Sequence, residues 1–179
     1  MTEQSFSLIP FPTLKIPTIA ITGKVSRQED RIALHYALAG NIEDIFVPPA
    51  SPSCSRKHEL WKTTCFEFFL AIKNQPQYWE FNFSPSGDWN VYHMDAYRRV
   101  GFREETSIQR MEFEMQPKAN IIFVNTAVDL SPIINESQLL EIGITAIIQT
   151  KEDHETYWAL LHPGPQADFH LRESFVCSL

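Results

Sequence analysis

Apolar side chains recur at every second position along most of this chain. In Arg31–Leu38 they are Ile32, Leu34, Tyr36 and Leu38. Successive side chains of an extended strand point to opposite faces, so a period of two puts one set on a core and the other set elsewhere. Similar short runs occupy Thr18–Val25, Leu60–Ile72, Tyr78–Phe83, Trp89–Asp95, Arg110–Met115, Ile121–Leu130, Glu141–Thr150 and Thr156–Leu161. Asn41–Val47 reads as a further short strand ended by Pro48 and Pro49, and Pro132–Leu140 as a helical turn or two or a loop. Residues 1–17 hold Pro10, Pro12 and Pro17, which suits an extended arm or an edge strand, since proline cannot donate to a ladder. The polar links SRQED and KEDHE mark hairpins. About nine or ten short strands with little helix predict an all-β fold, a two-sheet antiparallel β-sandwich.

The chain has 179 residues, enough to bury a sizeable core, and is expected to form one domain over 1–179. A net charge of -7, with basic clusters no longer than Arg56-Lys57-His58 and Arg98-Arg99, disfavours nucleic acid as a partner. No apolar run approaches the ~18 residues of a membrane span. The N-terminus lacks a basic start followed by an apolar stretch, so a cytoplasmic protein is expected. The three cysteines, Cys54, Cys65 and Cys177, lack metal-ligand spacing and suggest free thiols.

The segment Glu59–Arg98 concentrates the chemistry. It holds three of the four tryptophans and three of the five tyrosines, and reads as a three-stranded meander. In Leu60–Ile72 one parity gives Phe66, Phe68, Leu70 and Ile72 for the core; the other gives Trp61, Cys65, Glu67, Phe69 and Ala71. In the next strand Trp79, Phe81 and Phe83 share a face, leaving Tyr78, Glu80, Asn82 and Ser84 on the other. Pairing the apolar faces sets Glu67 beside Glu80 and Asn82. In the third strand the pattern does not decide between Trp89, Val91, His93 and Asn90, Tyr92, Met94. The preceding loop Ala50–His58 is placed to act as a lid or rim.

ELWKTTCFEFFL, YWEFNFSPSGDWNVYHMDAYR and YWALLHPGPQADFH together resemble a stand-alone group of bacterial DOMON-like proteins. Their superfamily includes family-9 carbohydrate-binding modules and the haem- or sugar-binding DOMON domains. The resemblance implies an immunoglobulin-like or jelly-roll sandwich with a ligand on the concave side of one sheet.

Saccharides are held by aromatic rings against their C–H faces and by side chains that bond hydroxyls. Trp61 and Trp89 would stack, Glu67, Glu80, Asn82 and Arg98 would bond hydroxyls, and Tyr92 and Tyr97 would line the wall. The expected function is therefore a non-catalytic module for a saccharide or another small polar ligand, with no cofactor. One alternative is a glycoside-active enzyme that uses Glu67 and Glu80 as its carboxylate pair. The other is a haem-binding or redox module, for which His35, His93 and Met94 are the available ligands; adjacent strand residues point to opposite faces, so His93 and Met94 cannot serve as a pair. Asp168 beside His170 reads as a loop aspartate capping a turn, although HPGPQADFH could approach a pocket rim.

Overall fold

The alternation becomes a ladder. In a computed structural model, which describes residues 1–98 and 101–179, the strands are β1 (Thr2–Pro10), β2 (Ile19–Gln28), β3 (Arg31–Gly40), β4 (Cys65–Ile72), β5 (Tyr78–Phe83) and β6 (Trp89–Met94). They continue with β7 (Arg103–Glu104), β8 (Glu112–Lys118), β9 (Ile121–Asp129), β10 (Leu140–Gln149), β11 (Glu155–Ala159) and β12 (Cys177–Ser178). Arg99, second half of the basic pair, and Val100 lie outside the described residues. The chain is all-β and antiparallel; its helical content among the described residues is three single 3-10 turns. None of these is long and apolar enough to cross a membrane.

The strand order is β7-β6-β5-β4-β10-β11-β1-β2-β3-β9-β8, with β12 also on β10. The sheet curls into a half-barrel, and β1 is the joint. Thr2–Leu8 pair with β2, whereas Ile9 and Pro10 pair with β11. The N-terminal arm therefore sits in the middle of the ladder and not at an edge. Its prolines allow this because Pro10 is the last residue of the strand and the next bond to β11 is donated by the Phe11 N–H to the Tyr157 carbonyl at 2.7 Å. Asn41–Val47 is not a strand either: Ile42–Asp44 form a 3-10 turn and Ile45 makes an isolated bridge to Thr150. Residues Leu60–Lys62 likewise turn before β4 begins at Cys65.

Curling brings both flanks of the sheet onto one core. Ile32, Leu34, Tyr36 and Leu38 of β3 meet Phe66, Phe68 and Leu70 of β4 and Trp79, Phe81 and Phe83 of β5. Phe68 and Phe81 stack at 4.2 Å between centroids, and the Tyr36 hydroxyl donates to the Glu67 carbonyl. Each buried large side chain contributes about 1.5–3 kcal/mol of transfer free energy. β3 buries alternate residues only, but β4, β5 and β6 are buried at every position. Their far face must therefore be covered by something other than the core.

Close packing also fixes β2. A Cβ on Gly23 would fall 2.1 Å from the His35 carbonyl oxygen and 2.4 Å from the Phe6 ring. Gly23→Ala is expected to lower stability by about 2 kcal/mol, as overpacking does, in a urea unfolding curve with an unchanged slope; no loss would show that β2 can shift freely.

Candidate functional site

The far face of β4, β5 and β6 is organised in rows by the strand register. Thr145 of β10, Glu67 of β4, Asn82 of β5 and Asn90 of β6 stand across from one another. The neighbouring row is Gly143, Phe69, Glu80 and Tyr92. Polar groups and rings are thus interleaved in a two-residue-wide patch, since cross-strand partners lie ~5 Å apart.

A cavity of about 810 Å³ opens on this patch. Glu67 and Glu80 are on its floor. Its walls are aromatic: Trp61, Phe69, Tyr92, Phe102, Tyr157 and Phe169. Tyr92 is held between Phe102, stacked at 4.9 Å, and Trp61, edge-on at 5.7 Å. His58, Glu59, Arg98 and His170 form part of the rim. Two of these rim residues, Glu59 (φ 61°) and Arg98 (φ 54°), hold left-handed backbone that side-chain-bearing residues adopt at a cost.

The rim comes from two distant segments. The loop before β4 is strapped down by Arg56, whose guanidinium lies 4.4 Å over the Trp89 ring. Arg56 also donates to Asn90 Oδ1 at 2.7 Å and to the Glu105 and Ile108 carbonyls. Lys57 pairs with the buried Asp88 at 2.7 Å. These bonds hold the loop as a fixed rim, with His58 turned to the Tyr92 hydroxyl at 3.1 Å. The second segment is the C-terminal tail. Phe169 and Phe175 pack on Phe69. Asp168 caps the turn by accepting from the His170 N–H at 3.0 Å, as the sequence suggests. Its other oxygen binds Arg98 Nη2 at 2.9 Å and accepts from the Tyr97 hydroxyl.

The electrostatics follow from burial. Glu80 is 6% exposed and Glu67 2%. Burial pushes the Glu80 carboxyl up to about 7, against a hydrogen bond from Asn82 Nδ2 at 2.7 Å that favours its ionised form. Burial and the neighbouring Glu80 charge push Glu67 well above the usual carboxylate range; Thr145 Oγ1, at 3.3 Å, works against this. Asn82 Oδ1 is buried without a partner among the described residues. His170 is driven down to about 4, chiefly by burial and then by Arg98, so its ring is neutral at pH 7. The Tyr78 hydroxyl, raised to about 12, accepts the Arg98 N–H and lies 2.9 Å from His170 Nδ1. His170 Nε2 lies 3.8 Å from Glu80 Oε2. With the ring neutral, that contact is not an ion pair.

Of the residues singled out in the sequence, Trp61, Glu67, Glu80, Tyr92 and Arg98 line the cavity. Asn82 lies behind them, fully buried and bonded to Glu80. Tyr97 stands beside the cavity, half exposed, and helps hold Asp168. Trp89 does not join them. It shares the parity of Val91 and packs into the main core, with Arg56 on its ring. His58 belongs to the Ala50–His58 loop, and Phe169 and His170 to the HPGPQADFH segment, both placed at a rim from the sequence; Phe102 and Tyr157 are additions. Tyr157 was legible in principle, since it alternates with the core residue Trp158 in β11. The proposed haem ligands do not converge: His35 bonds Asn125 on the exposed side of β3, His93 lies against Trp79, and Met94 is buried on the cavity-side face. Among the described residues no three His, Cys, Asp or Glu side chains are grouped to hold a metal ion.

No family model matches the chain, and no curated protein matches it in sequence. Solved structures do match in fold. A candidate carbohydrate-binding protein from Bacteroides uniformis aligns with a TM-score of 0.72 at 13% identity, covering 97% of this chain and 84% of that one. A family-9 carbohydrate-binding module from Caldicellulosiruptor kristjanssonii, solved with glucose, aligns at 0.51 and 10% identity, covering 92% and 78%. At these identities the likeness establishes the fold alone, an all-β fold shared with these two proteins.

Proposed function

We propose that this chain is a saccharide-binding module whose ligand enters the cavity over Glu67 and Glu80. One observation carries the reading: a cavity with rings on its walls and buried, bond-accepting carboxyls on its floor. Rings cover the C–H faces of a sugar, and floor groups bond its hydroxyls. Two buried carboxyls reduce stability, and a polar ligand offsets that cost. The resemblance of the sequence to DOMON-like proteins and the fold shared with carbohydrate-binding modules support the same assignment. We read the two flanks of the curled sheet as the layers of a jelly-roll sandwich.

Titration calorimetry with glucose, galactose, glucosamine and cellobiose tests this. Trp61→Ala is expected to weaken binding by about ten-fold, the effect of removing one stacking ring. Binding unaffected by Trp61→Ala, or no binding by the folded protein, would remove the cavity from consideration. A second reading rests on the raised carboxyls of Glu67 and Glu80, which suit a general acid and its partner in glycoside cleavage. Its mark is turnover of an aryl glycoside that disappears in Glu67→Gln.

A further inference from the structure

Among the described residues neither floor carboxyl is paired with a cation; the His170 ring, 3.8 Å from Glu80, is neutral. Glu67 is bonded by the Thr145 hydroxyl and Glu80 by the Asn82 amide, neither of them a cation. Behind the floor, Asn82 Oδ1 is buried with no partner among the described residues. The basic group that lines the cavity, Arg98, is already committed to Asp168 at 2.9 Å. Around this floor stand the faces and edges of Trp61, Tyr92, Phe102 and Tyr157. Ring faces attract cations, most strongly where water is excluded. An ammonium group brings three donors and the positive charge that these two carboxyls have no partner for.

Resting on the saccharide reading above, we propose that the preferred ligand is an amino sugar, a saccharide whose protonated amine is seated between the Glu67 and Glu80 carboxylates. A neutral hexose would leave the carboxyls in the protonated form that burial favours, whereas an ammonium would draw them into the ionised form by supplying the counter-charge. An N-acetylated sugar would lose the charge. The amine would be held by the floor and the sugar ring by Trp61 and Tyr92.

Calorimetry at pH 6.5 with glucosamine, glucose, N-acetylglucosamine and cyclohexylamine separates the cases. Glucosamine is expected to bind about ten-fold more tightly than glucose or N-acetylglucosamine, as a charge-assisted bond would give. The preference is expected to vanish in Glu80→Gln, with circular dichroism confirming that the variant is folded. Glucose binding as tightly as glucosamine would overturn the amine proposal and leave the saccharide module standing. A glucosamine preference that survives both Glu67→Gln and Glu80→Gln would overturn the assignment to the floor. Cyclohexylamine binding as tightly as glucosamine would overturn both proposals in favour of a simple amine site. No binding of any of the four would likewise overturn both.

Discussion

Glu80→Gln is expected to weaken ligand binding while making the protein more stable above pH 7. The folded-state carboxyl is raised from 4.5 to about 7, so between those values the folded chain holds a proton that the unfolded chain has released. Stability from this group is therefore full below about pH 4.5 and is lost as pH rises through 7. The loss is on the order of 3 kcal/mol. Glutamine matches the shape and carries no charge, so the variant escapes the loss. Removing the Glu80 charge also relieves Glu67, which that charge pushes upward. His170 acts in the opposite direction: its depressed pKa costs stability as pH falls below 6.5. Because His170 is common to both proteins, the difference between variant and wild type reports Glu80 together with the Glu67 carboxyl that its charge acts on. Urea melts at pH 5 and pH 8 are expected to show little difference at the first and a clear gain at the second. Binding is expected to fall by about 30-fold, the worth of a buried hydrogen bond to a charged group. A stability difference that does not change with pH would show that Glu80 is ionised at no cost, and the physical case for a ligand on that floor would go with it.

The second large effect lies far from the cavity. Arg27 of β2 is 8% exposed and is paired with no Asp or Glu side chain among the described residues. Its guanidinium donates to backbone oxygens: Glu29 at 2.8 Å, Gln138 at 2.6 Å, Asn135 at 3.2 Å, Glu136 at 3.1 Å and Leu179 at 3.4 Å. One side chain thus ties the β2–β3 turn, the connection before β10 and the last residue of the tail together. The same tail supplies Phe169 and His170 to the cavity. Arg27→Met keeps the apolar stem and strands these carbonyls without a donor. The expected cost is about 3–5 kcal/mol, that of removing one partner from a buried charged network, or a fall of roughly 10 °C in Tm for a chain of this size. Arg27→Lys supplies a charge but not the planar fork, and is expected to recover less than half of it. A variant within about 0.5 kcal/mol of wild type, the range of ordinary surface substitutions, would mean that these carbonyls reach water instead.

Local periodicity made part of this architecture legible. Ile32, Leu34, Tyr36 and Leu38 alternate cleanly because one face of β3 is core and the other faces water. The aromatic parity of β4 and β5 assigned Phe66, Phe68, Trp79, Phe81 and Phe83 to the core and Glu67, Glu80 and Asn82 to the other face, as observed. In β6 the same logic fails. Each parity mixes apolar and polar side chains, Trp89, Val91 and His93 against Asn90, Tyr92 and Met94, so nothing in the local pattern tells the core side of Trp89 from the cavity side of Tyr92. The N-terminal arm resembles an edge by its prolines, yet its partner β11 lies some 150 positions away (Ile9 with Ala159). His58, Phe102, Phe169 and His170 reach the cavity through long-range contacts of loops and tail. Such contacts depend on how the sheet curls, which alternation within a strand does not encode.

The four tryptophans permit one direct test of where the ligand binds. Trp61 lines the cavity, whereas Trp79, Trp89 and Trp158 are buried in the main core. Nitrogen-labelled indole signals, followed by NMR while glucosamine and then glucose are titrated, should show the Trp61 signal moving to saturation and the other three nearly still. A saturating shift at Trp89 without one at Trp61 would place the ligand on the other side of the sheet. No shift at any indole with either sugar at millimolar concentration would contradict the assignment of this cavity to saccharide binding.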